Sequence, residues 1–149
     1  MMRIELSALP HHVGQALGTS PWLEVNQARI NAFAEVTGDS QWIHVDPERA
    51  AQGPFGTTVA HGFFTLSLMP WFLERSFEVL GSRMGVNYGL NKVRFPAPVP
   101  VGSRLRSHTK LLGCEPVSGG MQLVIEDQIE REGSDKPVCV AEFVARRYV

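Results

Sequence analysis

The segment from Phe63 to Leu73 constrains the fold of this chain more than any other. Phe63, Phe64, Leu66, Leu68, Met69, Trp71, Phe72 and Leu73 cover almost the whole circumference of a helix expected from about Gly62 to Leu80. A helix that is apolar all round is buried all round, so the rest of the chain has to wrap it. The stretch is too short to span a bilayer and is interrupted by Thr65, Ser67 and Pro70. Pro70 is expected to kink the helix, because its ring removes one backbone hydrogen bond.

The wrapping material lies downstream, where the pattern changes from helical to period two. Leu105, Ser107, Thr109 and Leu111 alternate with Arg104, Arg106, His108 and Lys110. Met121, Leu123, Ile125 and Ile129 alternate with Gln122, Glu126, Gln128 and Glu130. Another strand is expected over Val138 to Val149, with turns at Ser118-Gly-Gly and at Glu132-Gly-Ser-Asp-Lys. A helical half followed by a meander of long antiparallel strands predicts an α+β fold, with the sheet curled around one buried helix. Such a sheet keeps an open edge, which a second copy of the chain can cover, so a homodimer is expected. With 149 residues, 44% of them hydrophobic, the chain has material for one core, and a single domain over 1–149 is expected.

Before the buried helix the chain reads in short pieces. The first twenty residues look irregular, and a short strand is expected at Trp22–Val25. Asn26 is a good N-cap for a helix whose buried face is Ile30, Phe33, Ala34 and Thr37, and Gly38 stands where a glycine would end it. Asp39 to Val45 is expected to be a loop. Asp46 then caps a short helix that opens on Pro47.

Several function classes are disfavoured. Fourteen basic and fifteen acidic residues leave a net charge of -1, which calls for neither nucleic acid nor an anionic membrane. The two cysteines, Cys114 and Cys139, lack any paired-cysteine spacing, and the five histidines lack a metal-binding spacing, so no metal is expected. Nucleophile-elbow, P-loop and dinucleotide fingerprints are absent. The first residues carry no signal-peptide pattern, and a cytoplasmic location is the default expectation. The Arg104, Arg106 and Lys110 stripe has two readings, a solvated strand face or a contact for the phosphates of a carrier such as coenzyme A.

Two polar clusters interrupt the apolar first half. Thr37-Gly-Asp-Ser-Gln-Trp-Ile-His44 puts a carboxylate and an imidazole on one segment, with Trp42 and Ile43 to anchor it and partly desolvate the pair. Such a pair can hold a water between its members, one taking a proton and the other giving one. The plainer reading is a Gly-Asp turn and a packed histidine. Ala60-His-Gly-Phe-Phe-Thr-Leu-Ser67 opens the buried helix. The N–H of Gly62 has no partner inside that helix and is a candidate donor to a developing enolate oxygen. Its plainer reading is a glycine at a helix start. Ser67 is either part of the same site or a serine bonded back to its own backbone. His61 is a possible base, though a capping or packing role fits it better.

At these clusters the sequence resembles a known family. Phe33-Ala-Glu-Val-Thr-Gly-Asp-Ser-Gln-Trp-Ile-His44 with Asp46, then Val59-Ala-His-Gly-Phe-Phe-Thr-Leu-Ser67 and Val93-Arg-Phe-Pro-Ala-Pro-Val-Pro-Val-Gly102, resemble the MaoC-like dehydratases, which include the (R)-specific enoyl-CoA hydratases (hydratase 2) and a nodulation protein N-like subgroup. The resemblance implies a hot-dog fold, a dimer, and (R)-specific hydration or dehydration of 2-enoyl thioesters on coenzyme A or an acyl carrier. It places the catalytic pair on Asp39 and His44, the oxyanion donor on the Gly62 N–H and the supporting serine on Ser67. It implies no metal and no redox cofactor. Many relatives carry Asn-Pro-Leu-His where this chain has Gln41-Trp42-Ile43-His44, a departure that bears on pocket shape and acyl length. A hot-dog thioesterase and a non-catalytic acyl-thioester binder are the alternatives, told apart by thiol release and by binding without turnover.

Overall fold

The computed structural model describes residues 1–149. Its frame is a six-stranded antiparallel sheet made of β2 (Ala16–Thr19), β3 (Leu23–Val25), β5 (Met84–Arg94), β6 (Ser103–Val117), β7 (Gly120–Arg131) and β8 (Cys139–Tyr148). The spatial order is β2-β6-β7-β8-β5, with β3 also paired to β6. The period-two segments form the long strands as expected. Leu105, Ser107, Thr109 and Leu111 of β6 and Leu123, Ile125, Asp127 and Ile129 of β7 are all buried and face the helical layer. Gly119 and Gly133 take positive φ at the two expected turns, where a side chain would be strained.

The helix inside the sheet differs from the expected continuous rod. It comprises α4 (Gly62–Ser67) and α5 (Met69–Ser76), joined at Leu68, with Pro70 in the first turn of α5. Proline is tolerated there because the first N–H groups of a helix have no internal partner anyway. The chain leaves the helix at Phe77 and forms β4 (Phe77–Leu80), which pairs in parallel with β1 (Met2–Glu5). The helix therefore ends at Ser76 rather than near Leu80. The first twenty residues are likewise more regular than expected, since they hold β1, a 3-10 turn over Leu6–His12, and β2. Phe64, Met69, Phe72 and Leu73 are buried, whereas Phe63 is 70% exposed, so one chain wraps the helix incompletely.

The front of the chain follows its local signals closely, except that Thr37, expected on the buried face of the first helix, is exposed at its last turn, where its hydroxyl bonds back to the Phe33 carbonyl. Asn26 caps α1 (Gln27–Thr37) by accepting a 2.9 Å bond from the Arg29 N–H, and Gly38 ends it at φ 78°. Asp46 caps α3 (Pro47–Ala51) through the Arg49 N–H. The expected loop between them contains a single helical turn, α2 (Trp42–Val45). No helix is long and apolar enough to cross a membrane.

Strand β5 lies at the end of the sheet order with β8 as its only partner, and all but one of its residues are exposed. Met84, Val86, Tyr88 and Leu90 on this edge are exposed large apolar side chains. An unpaired apolar edge of this length is a template for another strand.

Candidate active site

The site is assembled from α2, the stretch before α4, and the loop after α1. His44 sits on α2 and is 7% exposed. Its Nδ1 lies 2.6 Å from the Val59 carbonyl oxygen. A carbonyl only accepts, so Nδ1 carries the hydrogen, and Nε2 of the neutral ring keeps its lone pair free. Two further bonds hold α2 in place. The Val59 N–H donates to the Ile43 carbonyl, and Gln27 Nε2 donates to the His44 carbonyl at 2.7 Å. Gln27 also accepts from the Thr58 hydroxyl, so one amide braces both segments that position His44.

His61 packs against His44, with ring centroids 3.8 Å apart and planes at 24°. Its Nε2–H donates to the Asp39 carbonyl at 2.8 Å. That bond ties the loop after α1 to the start of α4. His61 makes no side-chain cap, and its Nδ1 is buried without a partner. Asp39 stays exposed, and its carboxylate has no donor from the protein. The expected desolvation of this carboxylate by Trp42 and Ile43 is therefore not seen within one chain. Trp42 instead packs on Gly53, where a Cβ would come 2.8 Å from the indole, and the Arg49 guanidinium lies 4.5 Å from the centre of its ring.

One carboxylate oxygen of Asp39 and one ring nitrogen each of His44 and His61 lie within 4.8 Å of one another. A water that donates to two such acceptors at ordinary hydrogen-bond lengths spans about this separation. The same three groups are the set that could hold a cation. Each imidazole gives one nitrogen to a carbonyl, the orienting bond that metal-ligating histidines also make, but the near-parallel stacked rings do not converge as tetrahedral ligation requires.

Beside His44 opens a cavity of about 350 Å³ whose lining includes Ile43, His44, Gly62, Thr65, Phe95 and Val138. Gly62 begins α4, so its N–H lacks a partner within the helix. The Phe95 ring lies on it, and a Cβ at this position would come 2.9 Å from that ring. Ser67 is placed elsewhere. It is exposed, its hydroxyl donates to the Phe64 carbonyl at 2.7 Å, and it lines a separate groove beside β5. The hydroxyl that lies in the His44 cavity is that of Thr65, 1% exposed and without a hydrogen-bond partner. Sequence reasoning missed Thr65 and Gln27. The spacing of Thr65 from Gly62, one helical turn, is the only signal that could have found it.

Within the Arg104, Arg106 and Lys110 stripe, both arginines carry their own counter-charges. Arg104 pairs with Glu132 at 3.0 Å and Arg106 with Glu130 at 2.7 Å, and both guanidinium groups lie over Trp22. Arg106 and His108 together hold the Glu130 carboxyl below its usual range. This arrangement fits a solvated strand face.

A hot-dog protein with a histidine-lined cavity at the head of its central helix is the class that fold and site define. Among solved structures, the R-hydratase PhaJ1 from Pseudomonas aeruginosa superposes with a TM-score of 0.75 at 22% identity, covering 91% of this chain and 81% of that one. The (R)-hydratase from A. caviae does so at 0.73 and 22%, covering 89% and 94%. At such identities the likeness concerns the fold. The sequence comparisons reach further. Residues 9–132 match the MaoC like domain. The chain is 54% identical over 134 residues to 3-hydroxyacyl-thioester dehydratase Z of Mycobacterium tuberculosis, covering 89% of each. It is 42% identical over 148 residues to nodulation protein N of Rhizobium leguminosarum bv. viciae, covering 97% of this chain and 91% of the relative. The chain belongs to the MaoC-like dehydratase domain family.

Proposed function

We infer that this chain adds water to, or removes it from, the C2–C3 bond of a 2-enoyl thioester, with the (R)-3-hydroxyacyl thioester as the hydrated partner. It is a hydro-lyase. The observation that carries the reading is the environment of His44. Its tautomer is fixed by Val59, one of its ring nitrogens lies within 4.8 Å of an Asp39 carboxylate oxygen, and an apolar cavity opens beside it.

In this reading a water donates one hydrogen to His44 and the other to Asp39, which turns an oxygen lone pair toward C3. The C3–O bond forms as the π electrons move to C2 and onto the thioester oxygen. The Gly62 N–H meets that oxygen as its charge grows. The proton taken from water is returned to C2 by one member of the pair, so hydroxyl and hydrogen are both accounted for. The supporting role that the resemblance gives Ser67 would require its hydroxyl to leave the Phe64 carbonyl. The Thr65 hydroxyl is better placed to face the site. The reaction moves a proton and a hydroxyl without net redox change, and we propose that it uses neither metal nor redox cofactor. Coenzyme A or an acyl carrier enters as part of the substrate.

We also propose a homodimer built on β5, supported by the exposed apolar edge and by Phe63 left uncovered at the site. A cytoplasmic location is supported by two free thiols. Burial pushes that of Cys139 up to about 12, which keeps it unreactive.

The test is to incubate the purified protein with crotonyl-CoA and follow the enoyl-thioester absorbance and free thiol in parallel. Loss of absorbance with no thiol released supports hydration. Thiol release would point to a thioesterase, and binding without either change would point to a binder.

A further inference from the structure

The core-facing row of β8 is Cys139, Ala141, Phe143 and Ala145, and the next position in the alternation is Arg147. Alternation along a strand thus carries a guanidinium to the helix side of the sheet. Arg147 is half-buried, its Nε is wholly buried, and its side chain makes neither a hydrogen bond nor an ion pair with any protein group. It lies over Gly85, its register partner on β5, where a Cβ would come 2.6 Å from its Nη1. An empty cavity of about 250 Å³ opens in front of it, walled by Pro70, Leu73, Phe143 and Ala145. Glu74, also on the wall, is mostly exposed and turned to Arg75 at 4.0 Å. Burial lowers the Arg147 pKa, and the Glu74 carboxylate offsets only part of that shift.

This cavity is the last of three along one helical face. The first holds Gly62 and Thr65, the second Leu66 and Met69, and the third Leu73 and Glu74. Gly62, Thr65, Met69 and Leu73 among them step by three or four residues and share a side. The second and third cavities share Pro70, Asn87 and Phe143, whereas the first shares no lining residue with either and is set off from the second by the step from Thr65 to Leu66 along the helix. From Gly62 to Glu74 the two helices α4 and α5 together rise roughly 18 Å at helical pitch. An extended chain advances about 1.2 Å per bond, so the track is as long as an acyl chain of about 12–15 carbons.

Resting on the hydratase reading above, we propose that this track binds the acyl chain and that Arg147 selects substrates whose far end carries an anion, a carboxylate in the first instance. A plain methyl end would leave the half-buried guanidinium, with its wholly buried Nε, without a partner. A carboxylate supplies the paired acceptors that a guanidinium fork accommodates.

The experiment compares kcat/KM for ω-carboxy and ω-methyl (2E)-enoyl-CoAs of matched length, from about eight to about sixteen carbons. It uses the wild type, Arg147→Met and Arg147→Lys. The wild type is expected to prefer the ω-carboxy series by about tenfold or more near the length of the track. Arg147→Met should abolish that preference, and Arg147→Lys should restore part of it. Taking the ratio within each protein removes any general loss of folded enzyme. A wild-type ratio near one at every length, or a ratio that Arg147→Met leaves unchanged, overturns the inference. So does a dimer weakened by Arg147→Met with its ratio intact, which would assign Arg147 to the contact between copies. Crotonyl-CoA run alongside with the wild type separates the two claims. Its hydration with no ω-carboxy preference sinks this inference alone, whereas the absence of any turnover sinks the hydratase reading.

Discussion

Asp127 is the residue whose chemistry is most at odds with its surroundings. It is fully buried in the core-facing row of β7, opposite Thr109. One of its oxygens accepts from Ser107 at 2.6 Å and from Thr109 at 2.7 Å, while the other has no partner. Burial holds its carboxyl above the usual range, and the two hydroxyls offset only part of that effect. The folded protein therefore keeps a proton that the unfolded chain releases at the ordinary carboxylate value. Stability from this group is complete below that value and is lost as pH rises through the raised one. Asp127→Asn retains the accepting oxygen without the titration. It should raise the melting temperature at neutral pH by about 4 °C and flatten its fall between mildly acidic and neutral pH. A melting series across pH for both proteins checks this, and identical pH profiles would count against it. The same residue shows a limit of pattern reading. Asp127 sits in an otherwise apolar period-two row, and only the three-dimensional neighbourhood of Ser107 and Thr109 explains how the sheet tolerates it.

Among the elements, those governed by local chemistry were legible in the sequence. Asn26, Gly38, Asp46 and Pro47 mark helix ends through their own side chains and dihedral preferences, and the structure has helix ends at all four. The β6–β8 strands follow from alternation and turn glycines. What could not be read depends on distant partners. β4 exists because Phe77–Leu80 pairs with Met2–Glu5, a contact across most of the chain, and the apolar run over 77–80 suited a helix equally well. In the site, Asp39, His44 and Gly62 stood out by spacing and resemblance. Gln27 and Thr65 did not, because an amide brace and a buried hydroxyl become visible only once α1, α2 and α4 are packed. Gly18 carries a consequence of the same kind. A Cβ on this β2 residue would fall 2.2 Å from the Ser76 carbonyl oxygen at the end of α5, a backbone atom that cannot swing aside. Gly18→Ala should destabilise the protein by about 1–3 kcal/mol, the usual cost of overpacking. Denaturant unfolding measures this directly, and a variant as stable as the wild type would show that β2 is free to move away from the helix.

At the scale of the molecule, a sheet wrapped round a helix leaves two things undone, the bare β5 edge and the exposed Phe63. Pairing of β5 with the same strand of a second copy would extend the sheet and bring new surface to the mouth of the site. Substituting Val86 and Leu90 together by lysine should convert the protein from twice the 16.5 kDa chain mass to a monomer, since charges on an exposed edge oppose pairing. Light scattering on the eluted protein reads the mass. A wild type already monomeric at micromolar concentration would remove the dimer from the proposal.

The central claim is that Asp39 and His44 together carry out the hydration, and kinetics of their variants test it most directly. Asp39→Asn and His44→Ala are measured singly and together with crotonyl-CoA, each variant first confirmed as folded by its melting curve. Each single change should lower kcat by about 10²–10⁴-fold, and the double variant should fall little further, because the two residues act as one unit. Folded variants that retain wild-type turnover would contradict the claim and place the chemistry elsewhere in the molecule.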